Sequence, residues 1–261
     1  ADQFLRADVS RSLQTADLLF YLAKLTHNPN HRALGLLAEA NARCLGGLGE
    51  YQRAIELYDE AADIYQANSN SRVEHARSQI GKIYALAFLG RYTDALETGE
   101  WAGMVLKSHS QWLPLATLTM NLGLIHGRMG EDAESLTLFD QARELYQRLG
   151  TEGEPFLPWT YQNRAIALRN LGLFEASIQA SQQAMELLAQ LGQSAEEARA
   201  RQNLAVTYFI LGRYNESLEL LDHVRDVFYA DGRQRDAILV ELFISDCLLQ
   251  LRRLTDVLDK C

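Results

Sequence analysis

Leu211-Gly212-Arg213-Tyr214-Asn215-Glu216-Ser217-Leu218 is the stretch that decides the fold. Its glycine can take the left-handed backbone that stops a helix, and the aromatic two residues later opens a new series of apolar or small residues at helical spacing, Ser217, Leu218, Leu221 and Val224. The same signature stands elsewhere as Leu48-Gly49-Glu50-Tyr51, Leu89-Gly90-Arg91-Tyr92, Met129-Gly130-Glu131-Asp132 and Leu171-Gly172-Leu173-Phe174, with Leu251-Arg252-Arg253-Leu254 as a sixth, glycine-free version. The anchor positions 49, 90, 130, 172, 212 and 252 are 41, 40, 42, 40 and 40 residues apart. Chance placement of glycine does not give five near-equal intervals, so the chain is an internal repeat.

Each anchor lies between two helical patterns. Seven residues before it a small side chain recurs (Ala42, Gly123, Ala165, Ala205, Ser245), with Ile83 as the exception. Two helices approach closely only where one lacks bulk, so this column marks a tight crossing within a helical hairpin, and the aromatic after the anchor plugs the wedge. Ala54, Ile55, Tyr58, Ala61 and Ala62 continue the pattern on the first trailing helix. Pro29, Pro114, Pro155 and Pro158 fall at or just before the first turn of a leading helix, where a missing N–H costs little. Asn68-Ser69-Asn70-Ser71 and Gly192-Gln193-Ser194 read as polar breaks between units.

The expected organisation is one solenoid domain over residues 1–261: a single leading helix in 1–27, hairpins in 28–68, 69–109, 110–150, 151–192 and 193–231, and a partial repeat in 232–261. Leu248, Leu249, Leu251, Leu254, Val257 and Leu258 look unfinished as a terminus, since solenoids close with a polar-faced cap, so the sequence reads as a fragment of a longer protein.

The small-residue column, the Gly-x-aromatic turn and the alanine column resemble the tetratricopeptide repeat (TPR). The resemblance implies an all-α, right-handed TPR superhelix, an α-solenoid of antiparallel helix pairs. The 40–42 residue period exceeds the common TPR length of about 34. Such long units are typical of bacterial signalling TPR proteins and of kinesin-light-chain-like arrays. The phrasing of Tyr51-Gln52-Arg53-Ala54-Ile55-Glu56-Leu57-Tyr58 and of Gln202-Asn203-Leu204-Ala205-Val206 is similar to the TPR region of bacterial CHAT proteins, caspase-like peptidases. That likeness implies a regulatory platform whose catalytic His and Cys lie in another domain. Arrays of this kind also accompany output domains of bacterial transcription and signalling regulators, and a self-assembly module is a third reading.

Composition excludes several other classes. Net charge is −9, and of 25 basic residues only Lys24, Lys82, Lys107 and Lys260 are lysine. Nucleic-acid binding is therefore not expected. No apolar run reaches the roughly 18 residues of a membrane span, so no membrane partner is expected. Cys44, Cys247 and Cys261 stand far apart with no CxxC pair, which fits a reducing, cytoplasmic setting. Cys44 and Cys247 each precede an anchor by five residues, and equal placement in the repeat points to equal packing roles. His27 and His31 flank Asn28-Pro29-Asn30 and read as a polar loop in preference to a metal clip. There is no P-loop, GxGxxG or HExxH, so neither catalysis nor a cofactor is expected from these residues.

Stacked hairpins curve, and their leading helices line the concave side. The inward residues include Arg43, Arg77, Tyr84, Met120, Arg128, Trp159, Gln162, Arg169, Arg199 and Gln202. Several of the 21 arginines thus project to one side of an acidic protein. A guanidinium pairs bidentately with carboxylate, and the apolar members supply pockets, so the expected partner is a protein or peptide segment that is acidic and partly hydrophobic, or an adjacent domain of the same polypeptide. The competing reading has these arginines neutralised by neighbouring carboxylates. Asn121, Asn163 and Asn203 recur nine residues before three anchors. They either fasten a ligand backbone or, the favoured reading, bond within their own hairpin.

Overall fold

The structure, a computed structural model, describes residues 9–45, 49–67, 71–253 and 256. Residues 1–8, Leu48, Asn68-Ser69-Asn70, Leu254, Val257, Leu258, Lys260 and Cys261, all used in the reading above, lie outside them. Among the described residues there are twelve α-helices and no strand: α1 (Val9–Thr26), α2 (Pro29–Leu45), α3 (Tyr51–Gln66), α4 (Arg72–Phe88), α5 (Tyr92–Ser108), α6 (Trp112–Arg128), α7 (Asp132–Arg148), α8 (Leu157–Asn170), α9 (Phe174–Gln190), α10 (Ser194–Ile210), α11 (Tyr214–Ala230) and α12 (Gln234–Gln250). The fold class is the expected one, all-α with tandem helices.

Gly90, Gly130, Gly172, Gly212 and Arg252 stand just past the ends of α4, α6, α8, α10 and α12. Gly49, Gly90, Gly130, Gly172 and Gly212 have φ between 70° and 79°, and Arg252, with no glycine to help, still takes φ 58°. The residue after the anchor turns its N–H back onto the helix it has left: Arg91 bonds the Leu86 carbonyl, Leu173 that of Leu168, Arg213 that of Tyr208 and Arg253 that of Leu248, all at 2.8–2.9 Å. This closes the orphan carbonyls of each helix end. The turns between hairpins use the same device, which the sequence reading did not anticipate. Ser110, Gly192 and Gly232 have φ of 55°, 66° and 72°, and the following Gln111, Gln193 and Arg233 make the matching return bonds. Gly150 (φ 57°) instead leads into two short 3₁₀ turns, Gly150–Glu152 and Glu154–Phe156, that carry Pro155.

The chain divides into two compact units, Ala1–Glu131 and Asp132–Cys261. In the first, a core of Leu36, Tyr58, Ile83, Leu86, Leu106, Leu118 and Ile125 runs through α2 to α6. Tyr58 is 1% exposed, its hydroxyl donates to Asn41 Oδ1 at 2.6 Å, and a Cβ on Gly81 would stand 2.2 Å from the Tyr58 hydroxyl oxygen. Only glycine at 81 lets α4 seat on the buried ring. The exceptional Ile83 is fully buried in this core.

In the second unit the small-residue column shows its purpose. The hydroxyl of Ser177 on α9 donates to the Ala165 carbonyl of α8 at 2.8 Å, and Ser217 on α11 does the same to Ala205 of α10 at 2.9 Å. A hydroxyl reaches a helix main chain across a hairpin only when the facing side chain is as small as alanine. Cys247 sits beside Ser217, Sγ to Oγ 3.6 Å, with Leu221, Val224, Phe228, Val240 and Ile244 around it.

The aromatic after the anchor is a wedge, as expected, but its partner varies. Tyr51 stacks on Phe88 of α4 with ring centroids 4.6 Å apart, whereas Tyr214 meets Phe209 of its own hairpin edge-on at 5.3 Å.

Candidate functional site

The leading helices stand side by side within each unit: α2, α4 and α6 in the first, α8, α10 and α12 in the second. Residues at the same distance from their anchors therefore recur along one row, and side chains that donate to main-chain carbonyls of the neighbouring leading helix tie it together.

In the first unit this row builds a layered cluster around Phe88. Tyr51 stacks beside it, Tyr84 tilts against it at 4.7 Å, and the Arg128 guanidinium carbon sits 4.0 Å over its ring. Phe88 and Arg128 both lie two residues before an anchor, so the repeat places them at matching points of adjacent helices. A guanidinium stacked flat keeps its N–H edges open for a carboxylate. Arg77 and Arg128 are exposed, and among the described residues neither has a carboxylate within ion-pairing distance. Arg43 is different: it is held between Glu39 (2.8 Å) and Glu50, and the hydrogen bonds to Glu50 and then Glu39 raise its pKa. Met120 is half-buried. Asn121, 9% exposed, donates to the Ile80 carbonyl of α4 at 3.2 Å. That bond joins two hairpins, which corrects the expectation that this amide bonds within its own.

In the second unit the cations are already engaged. Arg169 is half-buried, donates to the Asn203 carbonyl at 3.4 Å, and its pKa is lowered by burial. Arg199, though exposed, lies 3.7 Å from Glu196 and 3.6 Å from Asp236. Gln162 is buried and donates to the Glu196 carbonyl of α10 at 3.2 Å. Trp159 and Gln202 are half-buried. Asn163 and Asn203 are half-buried too, and among the described residues their side-chain amides make no hydrogen bond. The row ends on α12 with Leu239 and Leu242 more than half exposed.

Both described cysteines are buried, and burial pushes the Cys44 thiol up to about 12 and raises that of Cys247. A thiol this hard to ionise is a poor nucleophile, so both fill space in the core. The expected polar loop is only His27 and Asn28: Pro29, Asn30 and His31 lie in the first turn of α2, where His31 Nδ1 is 2.8 Å from Thr26 Oγ1, and no group of three His, Cys, Asp or Glu among the described residues could hold a metal ion. No described helix is long and apolar enough to cross a membrane. The site signal that sequence reasoning missed is the Phe88–Arg128 stack. It was readable from the period, since both residues sit at the same offset from their anchors.

Comparison with known proteins gives this architecture its context. Residues 114–187 and 156–230 match the family model of the tetratricopeptide repeat. A curated relative, Protein KINESIN LIGHT CHAIN-RELATED 2 of Arabidopsis thaliana, is 23% identical over 249 residues, which are 91% of this chain but 38% of that protein. The chain thus spans well under half the length of the curated relative it matches. Among solved structures, BtubC (BKLC) from P. vanneervenii is similar at TM-score 0.66 and 19% identity, covering 88% of this chain and 92% of that one. The Rap conjugation gene regulator of plasmid pLS20, in complex with the Phr* peptide, is similar at TM-score 0.63 and 14% identity, covering 96% and 72%. The matched stretch, residues 114–230, is similar to tetratricopeptide repeats, and the helices on either side of it keep the same repeat spacing.

Proposed function

We propose that this chain is a non-catalytic scaffold that binds a protein or peptide segment along its leading-helix rows and thereby regulates an attached or associated output domain. The observation that carries the reading is the pair Arg77 and Arg128: exposed, without a carboxylate at hand, on a chain of net charge −9, with Arg128 stacked on an aromatic layer. Such a pair suits an acidic segment, and the Tyr84–Phe88 edge suits an apolar side chain beside it. The open amides of Asn163 and Asn203 suit a ligand backbone, whose N–H and C=O pair with a carboxamide whatever the ligand's sequence.

Two output classes fit. The CHAT-like phrasing of the repeats favours a caspase-like peptidase. The fold-level likeness to a Rap regulator solved with a peptide favours a sensor region in a regulator of transcription or signalling. A ligand bridging several hairpins shifts their mutual rotation at modest cost, which is how an attached domain would register binding.

The test uses the chain as bait and measures affinity for the captured partner. Arg77→Glu with Arg128→Glu should weaken binding tenfold or more, and Asn163→Ala with Asn203→Ala about threefold to tenfold, on the scale of about 1 kcal/mol for a lost hydrogen bond. Helicity should stay unchanged in both. Unaltered affinity in both double variants would overturn the proposal.

A further inference from the structure

Helix α1 departs from the other trailing helices on the side turned away from the core. Val9 and Pro29, which open α1 and α2, are 20 residues apart, the same step as from Phe174 to Ser194 and from Tyr214 to Gln234, so α1 keeps the register of a trailing helix. Its Ser12 and Ala16 are buried, as Ser177 and Ser181 are at the matching places of α9. The tenth and thirteenth residues of a trailing helix face solvent and are polar: Glu60, Gln141, Gln183 and His223 at the tenth, Asp63, Glu144, Glu186 and Asp226 at the thirteenth. In α5 these places hold Trp101, which His75 covers at 4.6 Å between ring centroids, and a single exposed Met104. In α1 they hold Leu18 and Tyr21, with Leu25 one turn further on, and the three side chains are 58%, 59% and 61% exposed. The repeat leaves this side to solvent in α3, α7, α9 and α11, so the lack of a neighbouring hairpin does not account for it.

Leu18, Tyr21 and Leu25 stand at i, i+3 and i+7, the alternating steps that keep a seam between two helices in line. Asp17 and Lys24 lie seven residues apart on one flank of that seam, both exposed, and among the described residues neither has an ion-pair partner. A second α1 laid antiparallel brings like flanks together, so Asp17 of each copy meets Lys24 of the other, twice about a two-fold axis. Laid parallel, the seam would set Arg11 against Arg11 and turn Asp17 toward Leu22, with no cation to meet. The flank is complementary to itself in one orientation, and that selects the occupant.

We propose that the outer face of α1 is a homodimer interface, in which two copies of this chain pair antiparallel through Leu18, Tyr21 and Leu25 and through reciprocal Asp17–Lys24 ion pairs. Three large apolar side chains from each copy make a small interface, so the dimer is weak and reversible, with a dissociation constant on the order of 10–100 μM. The interface shares no residue with the Arg77–Arg128 surface, so it stands or falls separately from the function proposed above.

Sedimentation equilibrium on the full chain, between about 5 and 500 μM, should show the average mass climb from that of one chain toward that of two. Leu18→Gln with Leu25→Gln should weaken association at least tenfold, whereas Met104→Gln, at an equally exposed apolar position of α5, should change it less than twofold. Asp17→Lys alone opposes like charges and should weaken the dimer about threefold, as should Lys24→Asp. Combining Asp17→Lys with Lys24→Asp should restore it to within twofold, which a local effect on α1 would not. Circular dichroism confirms that these exposed substitutions leave the helices intact. A mass fixed at one chain over the whole range, a dimer unmoved by the Leu18 and Leu25 changes, or no recovery in the charge exchange would each overturn the interface. So would a monomer that instead binds phosphatidylcholine–phosphatidylserine vesicles through Leu18 and Leu25.

Discussion

The two units share a repeat register and differ in what their leading helices keep in reserve. In the first, arginines are open (Arg77, Arg128) and the recurring asparagine is spent, since Asn121 holds the Ile80 carbonyl. In the second, the roles reverse: Arg169 and Arg199 are occupied by a carbonyl and by carboxylates, while the amides of Asn163 and Asn203 have no hydrogen-bond partner among the described residues. A repeat position therefore fixes where a side chain stands but not whether it is free. That depends on what the neighbouring hairpin offers, and one carboxylate more or less decides it.

The strongest way to break the comparison is to damage one unit alone. Gly81→Ala puts a Cβ within 2.2 Å of the Tyr58 hydroxyl, and a ring that is 1% exposed has nowhere to move. The variant should lose about 1–3 kcal/mol in chemical denaturation, in the range for overpacking a filled core. A loss below a few tenths would mean that the first unit's core yields more readily than its burial suggests.

A finer contrast sets one asparagine against another. Asn121→Ala removes a bond between hairpins and should cost about 1 kcal/mol of stability, whereas Asn163→Ala, with no bond to lose, should stay within about 0.5 kcal/mol. Equal losses would erase the distinction between spent and open amides.

The smallest effect sharpens the account of the turns. Arg252 is a non-glycine residue in the left-handed region where five other anchors carry glycine. Arg252→Gly should raise stability, by up to about 1 kcal/mol once the entropy cost of glycine is deducted. A loss of stability would show that the Arg252 side chain contributes more than its backbone strain takes away.

Much of the fold was legible because it rests on local chemistry. Glycines 49, 90, 130, 172 and 212 announce themselves in the sequence and all take the left-handed backbone, and those at 90, 130, 172 and 212 end helices where the anchors stand. The intermediate stops were less visible. Ser110 carries the same left-handed turn as Gly192 and Gly232 without glycine's signature, so these breaks were placed from the period and from polar stretches, and their shared backbone device was not foreseen. The candidate site was legible in position but not in availability. Arg43, Arg77, Arg128, Arg169 and Arg199 look alike as letters. Whether each meets Glu50, a carbonyl or solvent depends on helix rotation and on residues about forty positions away, as with Asn121 and Ile80. The Ser217–Ala205 bond is a similar case: small residues on both sides were evident, but the hydroxyl that uses the gap was not.

Because helix stops recur at half the anchor spacing, the molecule is a train of single helices of nearly equal length, alternately facing the row and backing it. Gaining or losing one helix would leave every later stop intact while exchanging the two duties, sending Ser217 and Phe228 to the row of leading helices and Arg199 to the helices behind it. Duplication can thus lengthen such a gene safely only in couples, and the forty-residue period records that constraint.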